Sequence, residues 1–136
     1  MSSTVSAQLR RRVHERAKDR CEYCLIPETA TLLKHEVDHV IAVKHGGETT
    51  DDNLSLSCRL CNRRKGSDIA AIDPDTGRTV PLFHPRRDSW SEHFEIEGAL
   101  LLGRTVTGRA TIALLQLNRS ERVAERKLLL ASGLLP

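Results

Sequence analysis

Asp38 and His39 are adjacent, Asn53 follows His39 by fourteen positions, Asn62 comes nine after that, and Lys65 three later again. Phosphodiester hydrolysis uses these residue types: a base to activate water, and a cation to stabilise charge on the phosphate and the leaving oxygen. A neutral histidine with a pKa near neutrality serves as the base. Asp38 and Asn62 offer a carboxylate and an amide oxygen, hard ligands that hold Mg²⁺ while leaving positions for water and phosphate oxygens. Lys65, one helical turn beyond Asn62, is placed to bind the scissile or an adjacent phosphate. Taken singly, each residue is ordinary: His39 a surface histidine, Asn53 a loop cap, Asn62 a solvated helix residue, Lys65 one charge among several. The signal lies in their joint spacing.

Four cysteines share this span. Cys21-x-x-Cys24 and Cys58-x-x-Cys61 form two matched pairs separated by 33 residues. In a reducing compartment disulfides do not persist, and two such knuckles supply four thiolates that close a tetrahedron around Zn²⁺. A redox CxxC would call for one pair inside a thioredoxin-like βαβ pattern, and buried free thiols are the other alternative. With all four positions filled, the zinc would hold structure and do no chemistry.

CxxC, then DH, then an Asn fourteen residues after the His, then CxxCN with a nearby Lys resembles the HNH endonucleases, whose ββα-metal core also occurs in colicin DNases and CRISPR effector nucleases. The resemblance runs from Arg20 to Gly66, about a third of the chain. It implies a DNA endonuclease in which His39 is the general base, Asp38 a metal ligand and Asn62 the residue completing the metal site. Asn53 would fix the loop and orient the His39 backbone or ring. Asn62 stands where the family name has its last His, so the chain resembles the HNN variant. An amide oxygen is a harder ligand than imidazole, which argues for Mg²⁺ or Mn²⁺. Glu36, sharing strand parity with Asp38, is either a supporting carboxylate or an exposed strand residue.

These residues must be positioned by the elements around them. Val5, Leu9, Val13 and Ala17 fall at i, i+4, i+8 and i+12, an apolar stripe for a first helix. KHEVDHVIAV alternates as a strand, Gly46-Gly47 and ETTDDN make a polar loop, Leu54 to Ser57 form a second strand, and Cys58 to Lys65 has helical spacing. Neighbouring strand side chains face opposite ways, so Asp38 and His39 can serve one phosphate only if the strand bends or ends there. Ile69 and Ile72 could carry the helix past Gly66. DPDTG at 73–77 is a strong turn signal, and a calcium loop is rejected because its twelfth position is His84 rather than Glu. TVPLFHPRR reads as extended and leading away from the catalytic segment. A hairpin is expected between Trp90 and Val106 around Gly98, then helices at Ala110 to Leu117 and at Ser120 to Ser132, with Ser120 as cap and Gly133 as stop.

The expected fold is therefore α+β: a ββα-metal core with a structural zinc, an N-terminal helix, and a C-terminal hairpin-plus-helices extension of unassigned role. The expected division is 1–72 for helix and core and 73–136 for the extension. A chain of 136 residues and 15.2 kDa suits one core with an appendage.

Net charge is only +3, but Arg10, Arg11, Arg12, Arg16, Lys18 and Arg20 crowd one segment, Arg59, Arg63, Arg64 and Lys65 a second, and Arg86-Arg87 a third. Clustering of this kind suits a surface that meets phosphates, with Arg12, Arg16, Arg59, Arg63, Arg64 and Lys65 as candidate nucleic-acid contacts. Aromatics at 3% cannot build an extended base-stacking platform, so duplex DNA is the favoured partner. No run approaches the ~20 apolar residues of a membrane span, and the N-terminus lacks a secretory signal, so a cytoplasmic protein is expected. Two other functions stay open on sequence: a non-catalytic zinc-dependent DNA-binding module, and a partner-recruiting module with a vestigial nuclease core. A homodimer or an unidentified protein partner is equally open.

Overall fold

The structure, a computed structural model, describes residues 4–135. Helix α1 spans Ala7–Ala17, and Ser6 caps it by accepting the Leu9 N–H at 3.1 Å. Its apolar stripe is used as the spacing requires: Val13 is fully buried against Leu54 and Leu56, with Val5, Leu9 and Ala17 packed around them. Burying each of the three central side chains stabilises by about 1.5–3 kcal/mol. The helix ends where Lys18 and Asp19 take left-handed φ of 54° and 57°.

Strand β1, Glu36–His39, pairs antiparallel with β2, Leu54–Ser57, placing Asp38 opposite Ser55 and His39 opposite Leu54. All four residues of β2 are buried. Helix α2, Arg59–Lys65, follows directly and packs on β1, so the local order is strand, strand, helix, as expected. β1 stops at His39 and the chain bends at Val40 and Ile41, which is the termination an adjacent Asp-His pair needs.

The chain forms two units: one contains everything up to Asp68 together with His84–Arg87, the other Ile69–Phe83 and the chain from Asp88 onward. The first is the ββα unit with α1. Two expectations are corrected here. Ile69 and Ile72 do not prolong α2; the helix closes at Gly66, and Ala70–Ile72 is strand β3, paired with β4 at Thr79–Pro81. Nor does the segment after β4 simply lead away, since residues 84–87 belong to the same unit as the catalytic candidates. Proline spacing showed that this segment was irregular but not which unit it joined.

The second unit continues with α3 (Trp90–His93), β5 (Phe94–Glu97), β6 (Leu100–Gly103), α4 (Val106–Leu115) and α5 (Ser120–Ala131). The hairpin turns at Gly98, which takes φ 62°, as expected. α4 begins at Val106, earlier than Ala110, because Thr105 caps it by accepting the Gly108 N–H at 3.0 Å. Arg119, not Ser120, precedes the first turn of α5. Phe83 and Phe94 meet edge to face at 5.1 Å in the core. Asn118 grips β6 by exchanging two hydrogen bonds with the Leu101 backbone, at 2.9 and 2.8 Å.

The β3–β4 turn is held by the fully buried Asp73, whose carboxylate accepts from Arg109 Nε and Nη2 at 2.9 and 3.0 Å and from the Thr76 hydroxyl at 2.7 Å. Arg109 first, then Thr76, hold its carboxyl well below the usual range. A depressed folded pKa contributes stability that is complete above the unfolded value, about 3.9, and is lost as pH falls through the folded value. Thermal midpoints should therefore decline below pH 4 in the wild type, and Asp73→Asn should lower the midpoint at pH 7 and flatten that decline. A variant with unchanged slope would show that this carboxylate is not the titrating group. No helix among the described residues is long and apolar enough to cross a membrane.

Candidate active site and metal centre

Cys21, Cys24, Cys58 and Cys61 are all buried, and their sulfurs lie within 4.8 Å of one another. The Cys24 and Cys58 sulfurs are 3.7 Å apart. That is far beyond a disulfide bond of about 2.05 Å. It matches the edge of about 3.8 Å of a tetrahedron built on Zn–S bonds of about 2.3 Å. Within each pair the fourth residue's N–H points at the first sulfur, Cys24 to Cys21 at 3.5 Å and Cys61 to Cys58 at 3.4 Å, which suits sulfurs carrying negative charge. Burial pushes the Cys21 thiol well above its ordinary value, and its hydrogen bonding to Cys21 does the same for Cys61. The donor set of four enclosed sulfurs fits a structural ion of zinc's preference.

Glu22, inside the first knuckle, is tied to β2 twice. Its N–H donates to the Leu56 carbonyl at 2.8 Å, and its Oε1 accepts the Leu56 N–H at 2.9 Å. The other oxygen pairs with Arg86. Through Glu22, the knuckle, the central strand and residues 84–87 are joined. Sequence spacing carried no sign of either Glu22 or Arg86 in this role.

Glu36 and Asp38 share one face of β1, while Asn62 and Lys65 share one face of α2. The two faces meet in two rungs: Asn62 Nδ2 donates to Glu36 Oε1 at 2.9 Å, and Lys65 Nζ lies 3.8 Å from Asp38 Oδ2. Burial raises the Asp38 pKa, opposed by Lys65; burial likewise lowers that of Lys65, opposed by Asp38. Asp38 Oδ2 is buried and makes no hydrogen bond, and it is the oxygen that faces Lys65 Nζ. Lys65 is only 2% exposed, so it faces Asp38 and not a phosphate in solvent, contrary to the role expected for it.

His39 Nε2 is 2.8 Å from the Thr49 hydroxyl. Asn53, 8% exposed, does not touch the ring. Its Oδ1 accepts the Ile41 N–H at 3.0 Å and its Nδ2 donates to the carbonyls of Ile41 at 3.0 Å and Glu48 at 2.8 Å, while its own carbonyl accepts the Val40 N–H. One amide thus clamps both sides of the 40–53 loop, as Asn118 clamps β6. The loop closes so tightly that a Cβ on Gly47 would lie 1.7 Å from the Ile41 carbonyl oxygen, which explains a glycine there. Thr49 was not singled out by sequence, because nothing separates it from Thr50 in the same polar run.

Of the expected nucleic-acid contacts, Arg59 and Arg63 are exposed on α2 and Arg64 is half-buried. Arg12 and Arg16 instead both pair with Asp51, and Arg16 also donates to the Leu54 carbonyl. They tie α1 to the loop, so Arg16 in particular is committed to the fold.

Residues 21–68 match the family model described as HNH endonuclease. Over 120 residues the chain is 24% identical to the Septu protein PtuB of Bacillus thuringiensis, an alignment covering 87% of this chain and 44% of that protein. The chain thus spans less than half the length of this curated relative. No solved structure matches.

Proposed function

Residues 21–68 form a domain of the HNH endonuclease family, and from that premise we propose that the protein hydrolyses DNA phosphodiester bonds with a His39-activated water. The observation that carries it is the arrangement on β1 and α2: a strand ending at His39, with the Asp38 carboxylate one residue away and Asn62 on the facing helix, one rung from Lys65. Thr49 engages Nε2 of the ring, leaving Nδ1 to take the proton from water as it attacks phosphorus. Asn53 acts on this chemistry at one remove, by closing the loop that carries Thr49. Mg²⁺ or Mn²⁺ held by Asp38 and Asn62 would supply positive charge to the phosphate and leaving oxygen. Zinc on the four cysteines would secure the start of α2, on which Asn62 directly follows Cys61.

Glu36 orients Asn62. A carboxylate only accepts, so it draws the amide NH₂ toward itself and turns Oδ1, the metal-ligating atom, away. Lys65 opposes the upward effect of burial on the Asp38 pKa. In Glu36→Gln the partner can itself donate, the amide is free to flip, and Mn²⁺ affinity measured by calorimetry should weaken about 10–100-fold with zinc content unchanged. Equal affinity in the two proteins would remove Glu36 from this role.

Duplex DNA is the favoured substrate. Tyr23, Phe83 and Phe94 are buried, so among the described residues only the half-buried Trp90 could stack on a base. The direct test is incubation of the purified chain with supercoiled plasmid and Mg²⁺ or Mn²⁺, with a chelated control. Relaxed or linear product is expected, and its absence at every metal concentration would overturn the proposal.

A further inference from the structure

The geometry points to a second phosphate site: a groove beside the candidate active site seats a backbone phosphate of the nucleic acid next to the one that is cut, and this rests on the nuclease function proposed above. The groove has a volume of about 530 Å³ and lies wholly within the unit that carries His39. Arg10 enters it from α1, Lys34 from the segment before β1, and Arg59 from the first turn of α2. Glu36 lines it too, so the carboxylate that holds Asn62 is also a wall of the groove. Whatever binds there is a neighbour of the candidate cation ligands.

Charge indicates an oxyanion. Arg10 and Lys34 are exposed and, among the described residues, make no ion pair, while Arg59 approaches Glu36 only at 4.0 Å. The groove's two carboxylates are already engaged, Glu28 by the His35 N–H at 2.8 Å and Glu36 by Asn62. His35 is 6% exposed and its Nε2 bonds the Ile26 carbonyl at 2.9 Å. A carbonyl only accepts, so that nitrogen carries the proton, and Nδ1 is a buried acceptor with no hydrogen-bond partner. A phosphate seated in the groove accepts charge-assisted hydrogen bonds from Arg10 and Lys34. Nearby, His14, Asp19 and Glu28 bring ligand atoms within 4.8 Å of one another, but three cationic side chains around the groove favour an anion over a metal ion.

The test uses the full chain carrying His39→Ala, so that binding is read without cutting, and fluorescence anisotropy of a labelled DNA duplex across a salt series. Arg10→Ala with Lys34→Ala should weaken binding about tenfold and reduce the slope of log affinity against log salt by about 0.9, the share of one phosphate. Lys127→Ala, an exposed charge on α5, should leave the slope unchanged, and Arg10→Lys with Lys34→Arg should keep it. An unaltered slope in the double alanine variant, or an equal change with Lys127→Ala, overturns the groove. If the wild type cuts plasmid while the slope is insensitive, the groove fails and the nuclease stands. A slope that responds as expected in a chain that never cuts sinks the nuclease and leaves a nucleic-acid phosphate site. Absence of duplex binding overturns both.

Discussion

Plasmid cleavage by this protein in Mg²⁺ or Mn²⁺ should fall by about 10²–10⁴-fold when His39 becomes alanine, the range set by loss of a positioned general base. The variant should keep its zinc, its fold and its affinity for duplex DNA. His39 is the last residue of a four-residue strand, its side chain is held by one hydroxyl, and it lies outside the apolar cluster of Val13, Leu54 and Leu56. The comparison also separates the competing functions. A non-catalytic DNA-binding module or a partner-recruiting module would show no cleavage for the substitution to remove. Cleavage that persists in the variant would place the base elsewhere; a second check is the rate of Thr49→Ala against Thr49→Ser. If His39 is the base, serine keeps the hydroxyl and should restore most of what alanine loses.

Stripping the metal from the cysteine cluster should unfold the unit around it. The unit's apolar centre is small, with Val13, Leu54 and Leu56 fully buried together and each worth about 1.5–3 kcal/mol. Structural zinc contributes an apparent 10–16 kcal/mol, roughly, in zinc-finger peptides, comparable to the roughly 5–15 kcal/mol that holds a whole domain together. The cysteines also join the knuckle after α1 to the end of β2 and the start of α2, beside the two hydrogen bonds between Glu22 and Leu56. Treatment with a strong chelator, or Cys58→Ser, should collapse amide protection across Leu54–Ser57 and release one equivalent of zinc per chain, measured by hydrogen exchange and a colorimetric zinc assay. Persistent protection in metal-free protein would mean that the Glu22 and Arg86 ties hold the unit without the ion. The result also bears on catalysis, because Asn62 follows Cys61 directly and any loosening of the cluster frees the residue proposed to complete the catalytic cation site.

The chemistry was legible in residue types and intervals. Two CxxC pairs, the Asp-His pair and the two asparagines are local features, and the period-2 and helical patterns of residues 36–65 located β2 within its observed bounds and α2 within one residue. Helix α1 was equally plain, since an apolar residue every fourth position leaves one buried face. Termini were less so: α4 starts at Val106 because a threonine hydroxyl caps it, and α2 stops at Gly66 although apolar residues continue beyond.

Amino-acid sequence alone determined which side chains could do chemistry and in which elements they would sit, because helices and strands are set by neighbours a few residues away. Tertiary structure alone decided what each charge faces. Lys65 lies against Asp38 because α2 packs on β1 with Asn62 facing Glu36, which brings the next residue on each face together, so a lysine read as a phosphate ligand is the partner of a buried carboxylate. Arg16 meets Asp51 and Leu54, Arg86 meets Glu22, and Thr49 meets His39 across separations of 35, 38, 64 and 10 residues. No period encodes such meetings: they depend on how the chain closes on its core and its cysteine cluster, and there the division between exposed charge and framework was made.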